Sequence, residues 1–419
     1  MKIAKITAAA LAALMLMCST ACSGSSDSSS ESKSGNTEKS DSSAAGGSAS
    51  SNNPEAAMPE KDFVSNTDGS ARVTVDGTKF MVGDKEIWFN GVNAAWDKWN
   101  DFGGGFNFEF WNDHFSKLHE AGVNSARIWI VCNGEVGMLI SPDGSFEGAT
   151  TAHWEDLDDL MLLAEQYHIY VMATVQSFDN FKDDEGVEDD EEKFREWRTL
   201  IQDDEKTDQF VDNYIVPLVK RYDSSDYFWS VDLCNEPDWI VENDECGKLD
   251  WLYLESYYAK ASAAIHSNSD VLVTVGMGMI KYNSDNQMGN KISDAELSGL
   301  IKDNEKYDSS LAYVDFYSTH WYSWMISNWG VMYEQTPEEY GLDGTKPAVI
   351  GEMPALSSDN ASYDVVKAYE EAYNNGYNGV FAWKSSGGDD GCGLWEDIKP
   401  AIDNMMTICP DEIFPLGDK

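Results

Sequence analysis

Two glutamates stand where apolar runs end. Glu236 lies in Asn235-Glu236-Pro237, directly after the run Tyr227-Phe228-Trp229-Ser230-Val231-Asp232-Leu233-Cys234, and Glu352 follows Ala348-Val349-Ile350-Gly351. A carboxyl at the end of each of two buried strands is the minimum equipment for cleaving an acetal. One group delivers a proton to the departing oxygen, and the other meets the developing oxocarbenium ion. Asn-Glu-Pro alone opens a helix or a turn about as often as it marks a catalytic site. Its place between an apolar strand and a long loop favours the catalytic reading.

Those two strands belong to a longer alternation. Ala71–Val75 and Lys79–Val82, separated by Asp76-Gly77, read as a hairpin. Eight strand candidates follow: Ile87–Val92, Ser125–Val131, Ile169–Val175, Phe228–Leu233, Val271–Val275, Val314–Thr319, Ala348–Ile350 and Gly379–Trp383. Amphipathic helices lie between them. Leu157, Leu160, Met161 and Ala164 share one helical face, as do Val365, Val366, Tyr369, Ala372 and Tyr373, with Ser362 expected as the start cap and Gly376 as the stop. Near-continuous apolar strands alternating with helices call for a parallel sheet covered on both faces, and eight units predict a closed (β/α)8 TIM barrel. The stretches Asn283–Leu300 and Ser323–Tyr340 are expected to be extended loops. On the strand C-terminal face, loops of that length build a cleft.

The motifs in order are Ala126-Arg127-Ile128-Trp129, Asn235-Glu236-Pro237, His320-Trp321-Tyr322, Gly351-Glu352 and Trp383, each at a strand end. Together they resemble glycoside hydrolase family 5, the retaining β-glycanases of the (β/α)8 superfamily, over roughly Ala71–Ile408. The resemblance implies Glu236 as acid/base and Glu352 as nucleophile, with Arg127 and Tyr322 keeping Glu352 ionised. Glu236 is expected to be dry and raised in pKa by the neighbouring negative charge. Asn235 would hold the substrate 2-hydroxyl, and His320 would bond the sugar or support the acid/base. Trp383 would offer a face to a pyranose, with Trp96, Trp99 and Trp129 as further platforms. After the third strand many members of this family carry a histidine, whereas this chain reads Thr174-Val175-Gln176-Ser177-Phe178. A polar amide there, Gln176, and Arg-x-Trp after the second strand resemble the mannan-cleaving, bacterial branch.

The remaining composition sets the address and narrows the partners. Lys2 and Lys5 precede an uncharged stretch to Met17 that is too short to span a bilayer and reads as a secretory signal. It ends in Ser19-Thr20-Ala21-Cys22, which resembles a bacterial lipobox with Cys22 as the lipidated residue. Residues 1–22 are therefore expected to be a signal and 23–61, rich in Ser and Gly, a disordered tether. As a random coil of about 38 residues it would reach roughly 35 Å. A catalytic domain at 62–419 follows. With Lys+Arg 29 against Asp+Glu 74, the net charge of −45 argues against nucleic acid and against direct binding to anionic membrane, leaving the lipid anchor as the membrane contact. A neutral β-linked polysaccharide is the expected partner, with a monomeric enzyme and no cofactor or metal.

Of the seven cysteines, Cys18 and Cys22 belong to the leader, leaving Cys132, Cys234, Cys246, Cys392 and Cys409, for which no disulfide is predicted. His114, His119, His153, His168 and His266 lack ligand spacing and read as structural or exposed. Gly103-Gly104-Gly105 lacks the dinucleotide pattern and is expected to be a flexible cleft loop. The acidic run Asp183–Glu192 reads as a solvated loop before a calcium site. The combined expectation is a surface-anchored or secreted endo-β-1,4-mannanase. The rivals are an endo-β-1,4-glucanase, a surface glycan-binding lipoprotein without turnover, and a two-lobed solute-binding lipoprotein.

Overall fold

Parallel strands covered by helices on the outside and side chains on the inside meet water on neither face, and this chain builds its barrel from such segments. The computed structural model describes residues 55–182, 190–417 and 419. The signal, Cys22, most of the tether and most of the acidic run lie outside the described residues.

A three-stranded antiparallel sheet opens the fold: β1 (Val73–Asp76), β2 (Lys79–Val82) and β3 (Lys85–Glu86). Then come β4 (Phe89–Asn93), β5 (Ser125–Trp129), a small hairpin of β6 (Met138–Ile140) and β7 (Phe146–Ala149), β8 (Tyr170–Thr174), β9 (Phe228–Asn235) and β10 (Leu272–Met277). A second small hairpin, β11 (Asn283–Ser284) with β12 (Gly289–Asn290), precedes β13 (Tyr317–His320), β14 (Ala348–Pro354) and β15 (Gly379–Trp383). Strands β4, β5, β8, β9, β10, β13, β14 and β15 pair in that order, all parallel, and β15 closes onto β4. The predicted (β/α)8 barrel is the observed fold. Every residue of the first seven of these strands is buried, as two-sided cover requires.

The helix Thr151–Gln166 buries Leu157, Leu160, Met161 and Ala164 together, and its start is capped by Thr150 accepting from His153 N. The helix Val365–Asn374 is capped by Asp364, not by Ser362. Ser362 is committed to a local turn, its hydroxyl donating to Asn360 Oδ1 at 2.7 Å. The stretch Asn283–Leu300 is more ordered than expected. It holds β11, β12 and a helix from Asp294 that Ser293 caps. Ser323–Tyr340 is a series of short helical turns. The Gly103–Gly105 loop is anchored, since the Gly103 and Gly104 amides both donate to Asp156 Oδ2, at 2.8 and 2.6 Å. Residues expected to end the tether already dock on the barrel: Ala57 N donates to Ala149 O at 3.1 Å, and Lys61 O accepts from Arg221.

The N-terminal hairpin closes the bottom of the barrel. Phe80 of β2 packs edge-on against Trp229 and Phe316 at 5.3 and 5.1 Å, and Trp229 in turn stacks between Phe89 and Phe316 at 4.2 and 5.1 Å. Phe89, Trp229 and Phe316 all lie at or near strand starts, opposite the end where Glu236 and Glu352 emerge. Phe80→Ala should therefore lower unfolding free energy by about 3–5 kcal/mol in a urea titration while leaving turnover per folded molecule unchanged. A loss below about 1 kcal/mol would contradict the role assigned to this plug.

Candidate active site

The site is assembled around one guanidinium. Arg127 on β5 points into the barrel, fully buried, and meets four side chains from three other strands. Its Nε and Nη2 donate to Asp232 Oδ2 at 2.9 and 2.6 Å, Nη1 to Glu352 Oε1 at 2.8 Å and Asn93 Oδ1 at 3.1 Å, and Nη2 to Asn235 Oδ1 at 2.8 Å. Burial lowers the guanidinium pKa, but the charges of Asp232 and Glu352 outweigh it and the net direction is upward. Its aliphatic and planar surface lies over the Trp129 ring, 4.3 Å from the centroid. Gly276 makes the room: a Cβ there would sit 2.8 Å from both Arg127 Nη2 and Asp232 Oδ2. Gly351, just before Glu352, does the same for β13, where a Cβ would stand 2.2 Å from Ser318 Oγ.

Glu352 on β14 is held at both oxygens. Arg127 takes Oε1, and the Tyr322 hydroxyl donates to Oε2 at 2.7 Å. Burial and the charge of Glu236 raise its pKa, and the net direction is upward, while His320, Arg127 and Tyr322 oppose the rise. With an arginine and a phenol donating to it, Glu352 is the carboxyl built to keep its charge.

Glu236 follows β9 in the left-handed region, φ 49° and ψ 54°, a conformation that costs a non-glycine residue roughly 1–3 kcal/mol. Its amide donates to Gly276 O at 2.7 Å, and Pro237 then starts the helix Pro237–Glu242. Oε1 lies 2.9 Å from His320 Nδ1, and Oε2 accepts from Trp239 Nε1 at 2.9 Å. Its pKa is pushed up to about 7. The dry setting expected from the sequence is the largest cause: burial raises it, the Trp239 hydrogen bond and Arg127 pull it down, and the neighbouring carboxylate is not among the causes. Burial also drives His320 down to about 4, so its imidazole is neutral near pH 7.

One atom each from Glu236, His320 and Glu352 lies within 4.8 Å of the others. Such a trio is close enough to hold a cation, yet both oxygens of Glu352 are already engaged by Arg127 and Tyr322. For two carboxyls this closeness matches attack by one of them on carbon. The wider gap of roughly 6.5–9.5 Å leaves room for a water between them.

The structure brings Glu236, Glu352, Arg127, Asn235, His320 and Tyr322 into one cluster. Trp383, half-buried at the end of β15, lies 5.1 Å from Trp129 and 5.8 Å from Trp96, and Trp96 lies 4.9 Å from Trp99. Trp99 is 39% exposed, whereas Trp129 is 1% exposed with Arg127 on its face. Trp129 therefore supports the other indoles and presents no platform of its own. Gln176 is buried, and neither amide atom of its side chain has a partner in the protein. Four contributors escaped sequence reading: Asn93, Asp232, Trp239 and Lys384. Asp232 had a signal, as the one charge in an apolar run. Lys384 is buried beside Trp96 and Trp383 and pairs with Asp390 at 3.1 Å, and Asp390 also accepts from Trp383 Nε1 at 2.6 Å. Among the described residues, no disulfide joins Cys132, Cys234, Cys246, Cys392 or Cys409.

No protein-family model matches the chain. It is 26% identical over 345 residues to a mannan endo-1,4-beta-mannosidase of Cryptopygus antarcticus, covering 75% of this chain and 84% of that protein. It is 24% identical over 352 residues to one of Mytilus edulis, covering 76% and 89%. In three dimensions it is similar to an endo-1,4-beta-mannanase from Eisenia fetida, with a TM-score of 0.68 at 22% identity over 80% of this chain and 95% of that one. These are animal proteins, a correction to the bacterial branch toward which the motifs leaned.

Removing Arg127 would leave Asp232 and Glu352 buried without their counter-charge. Arg127→Met should cost about 3–5 kcal/mol of stability in chemical denaturation, and adding Asp232→Leu should recover part of the loss. Additive losses would contradict the ion cluster.

Proposed function

From a chain that resembles glycoside hydrolase family 5 in its motifs, its barrel and its relatives, we propose a retaining endo-β-1,4-mannanase acting on mannan or glucomannan. One observation carries the retaining mechanism: the Glu236 and Glu352 carboxyls, held by different donors, come within 4.8 Å of each other at the strand C-terminal end of the barrel. The substrate rests on the names of the relatives and on Gln176 standing at the end of the third barrel strand.

The chemistry follows from the environments of the two groups. A Glu352 oxygen attacks the anomeric carbon as that carbon's bond to the glycosidic oxygen breaks. The electron pair goes to the oxygen, which takes the proton of Glu236. The product is a glycosyl ester on Glu352 and a free chain end. Having given up its proton, Glu236 is left as a carboxylate, and esterification of Glu352 removes the nearby negative charge that would favour its reprotonation. Glu236 then takes a proton from water, and the water oxygen displaces Glu352 from the same carbon, restoring the original configuration. Asn235 has its Oδ1 committed to Arg127, which leaves its NH2 as donor to the sugar 2-hydroxyl. Trp383, with Trp96 beside it, offers the apolar face for the ring held at Glu352. Cys22 as a lipid anchor would place this activity at the cell surface, a reading supported by the leader sequence and tested by a lipid label on the mature N-terminus.

Reducing ends should appear from galactomannan and glucomannan well before carboxymethylcellulose, and freshly released products should carry the β-anomer by NMR. Faster release from carboxymethylcellulose would reassign the enzyme as a glucanase. Inverted product would end the two-glutamate account. Glu352→Ala should abolish hydrolysis, and Glu236→Gln should slow it about 10²–10⁴-fold. Because Glu236 must be protonated to act as acid, kcat/KM should fall as pH rises through about 7. A flat profile from pH 6 to 9 would contradict that assignment.

A further inference from the structure

The helix Pro237–Glu242 places an indole on the acid/base itself. Asp238 accepts from the Gly278 and Met279 amides at 2.8 and 3.3 Å, which fixes this short helix against the loop after β10. One residue on, half-buried Trp239 donates its Nε1–H to Glu236 Oε2 at 2.9 Å, and its ring lies 6.3 Å from that of Trp324. A packing residue has no need to aim its single polar atom at the carboxyl that must gain and lose a proton.

We propose that Trp239 is a positioning residue for the acid/base, orienting the Glu236 carboxyl and stabilising the negative charge that appears on it as its proton leaves. The proposal rests on Glu236 being the acid/base. An indole is a donor only, so it favours the carboxylate over the acid. Its contribution is therefore greatest when the proton has moved to the glycosidic oxygen, and it is kept while Glu236 serves as base. The other titratable groups facing Glu236 are His320 from β13, Tyr322 just after that strand, Glu352 from β14, Arg127 from β5, and Asp238 on its own helix. Neutral His320 holds Oε1, so the two oxygens have different keepers. Burial is the force that raises Glu236, and the indole hydrogen bond is the first influence opposing it.

Trp239→Phe keeps most of the ring and deletes the donor. Without it the acid holds its proton more tightly, so the alkaline limb of kcat/KM should move up by roughly half to one pH unit. On a polymeric substrate near pH 6 the rate should drop about tenfold to hundredfold. With a dinitrophenyl glycoside of the same sugar, whose leaving group departs without protonation, the deficit in the first step should nearly vanish. Trp239→His, which retains a ring N–H, should shift the limb less than Phe does. A limb that stays in place in a variant with wild-type far-ultraviolet circular dichroism, or an equal loss on both substrates, would overturn the proposal and leave Trp239 as packing. If Glu236→Gln hydrolyses polymer at the wild-type rate, the failure lies instead with the acid/base assignment.

Discussion

A buried arginine between two buried carboxylates is the constraint on which the rest of this structure depends. Taking one guanidinium and two carboxylates out of water is costly, and their mutual attraction offsets this only when the geometry is close and all the donors are used. Arg127 meets that condition with Asp232, Glu352, Asn93 and Asn235. Those partners come from three strands, so the cluster also fixes how β4, β9 and β14 sit around β5. Glycine at 276 and at 351 follows from the same crowding, because a single methyl at either place would occupy space that the polar side chains need.

The cluster also separates the chemistry of two residues of one type. Both glutamates are raised by burial. Glu352 is drawn back by the arginine and a phenol, while Glu236 meets a neutral histidine and an indole and is pushed up to about 7. Nothing intrinsic to a glutamate makes it an acid or a nucleophile; the donors supplied by neighbouring strands do. The local cost is visible in the backbone, where Glu236 takes a left-handed conformation that the hydrogen bond to Gly276 and the following proline-started helix hold in place.

Much of the fold was legible in the chain because buried parallel strands read as unbroken apolar runs, and the ends of those runs fix where a barrel carries its chemistry. The hairpin was legible at Asp76-Gly77, and the helical face of Leu157, Leu160, Met161 and Ala164 by its spacing. What escaped depends on partners far apart in sequence or on exact local geometry. Ser362 and Asp364 are equally good caps on paper, and the choice turns on Asn360 claiming the serine. Trp129 has the composition of a platform, but Arg127 lies on its face. Trp239 meets Glu236 from a helix that starts directly after a left-handed residue, a conformation no spacing announces. Burial, a property of the whole fold, sets the Glu236 proton affinity more than its charged neighbour does.

The most direct test of the two-carboxylate account is to trap the covalent species. Incubation with an activated 2-deoxy-2-fluoro-β-mannoside, which slows the second step more than the first, followed by peptide mass mapping, should find the sugar on Glu352 with loss of activity in proportion to labelling. Inactivation with the label on another residue, or steady turnover of natural substrate by enzyme that never takes up the label, would contradict it.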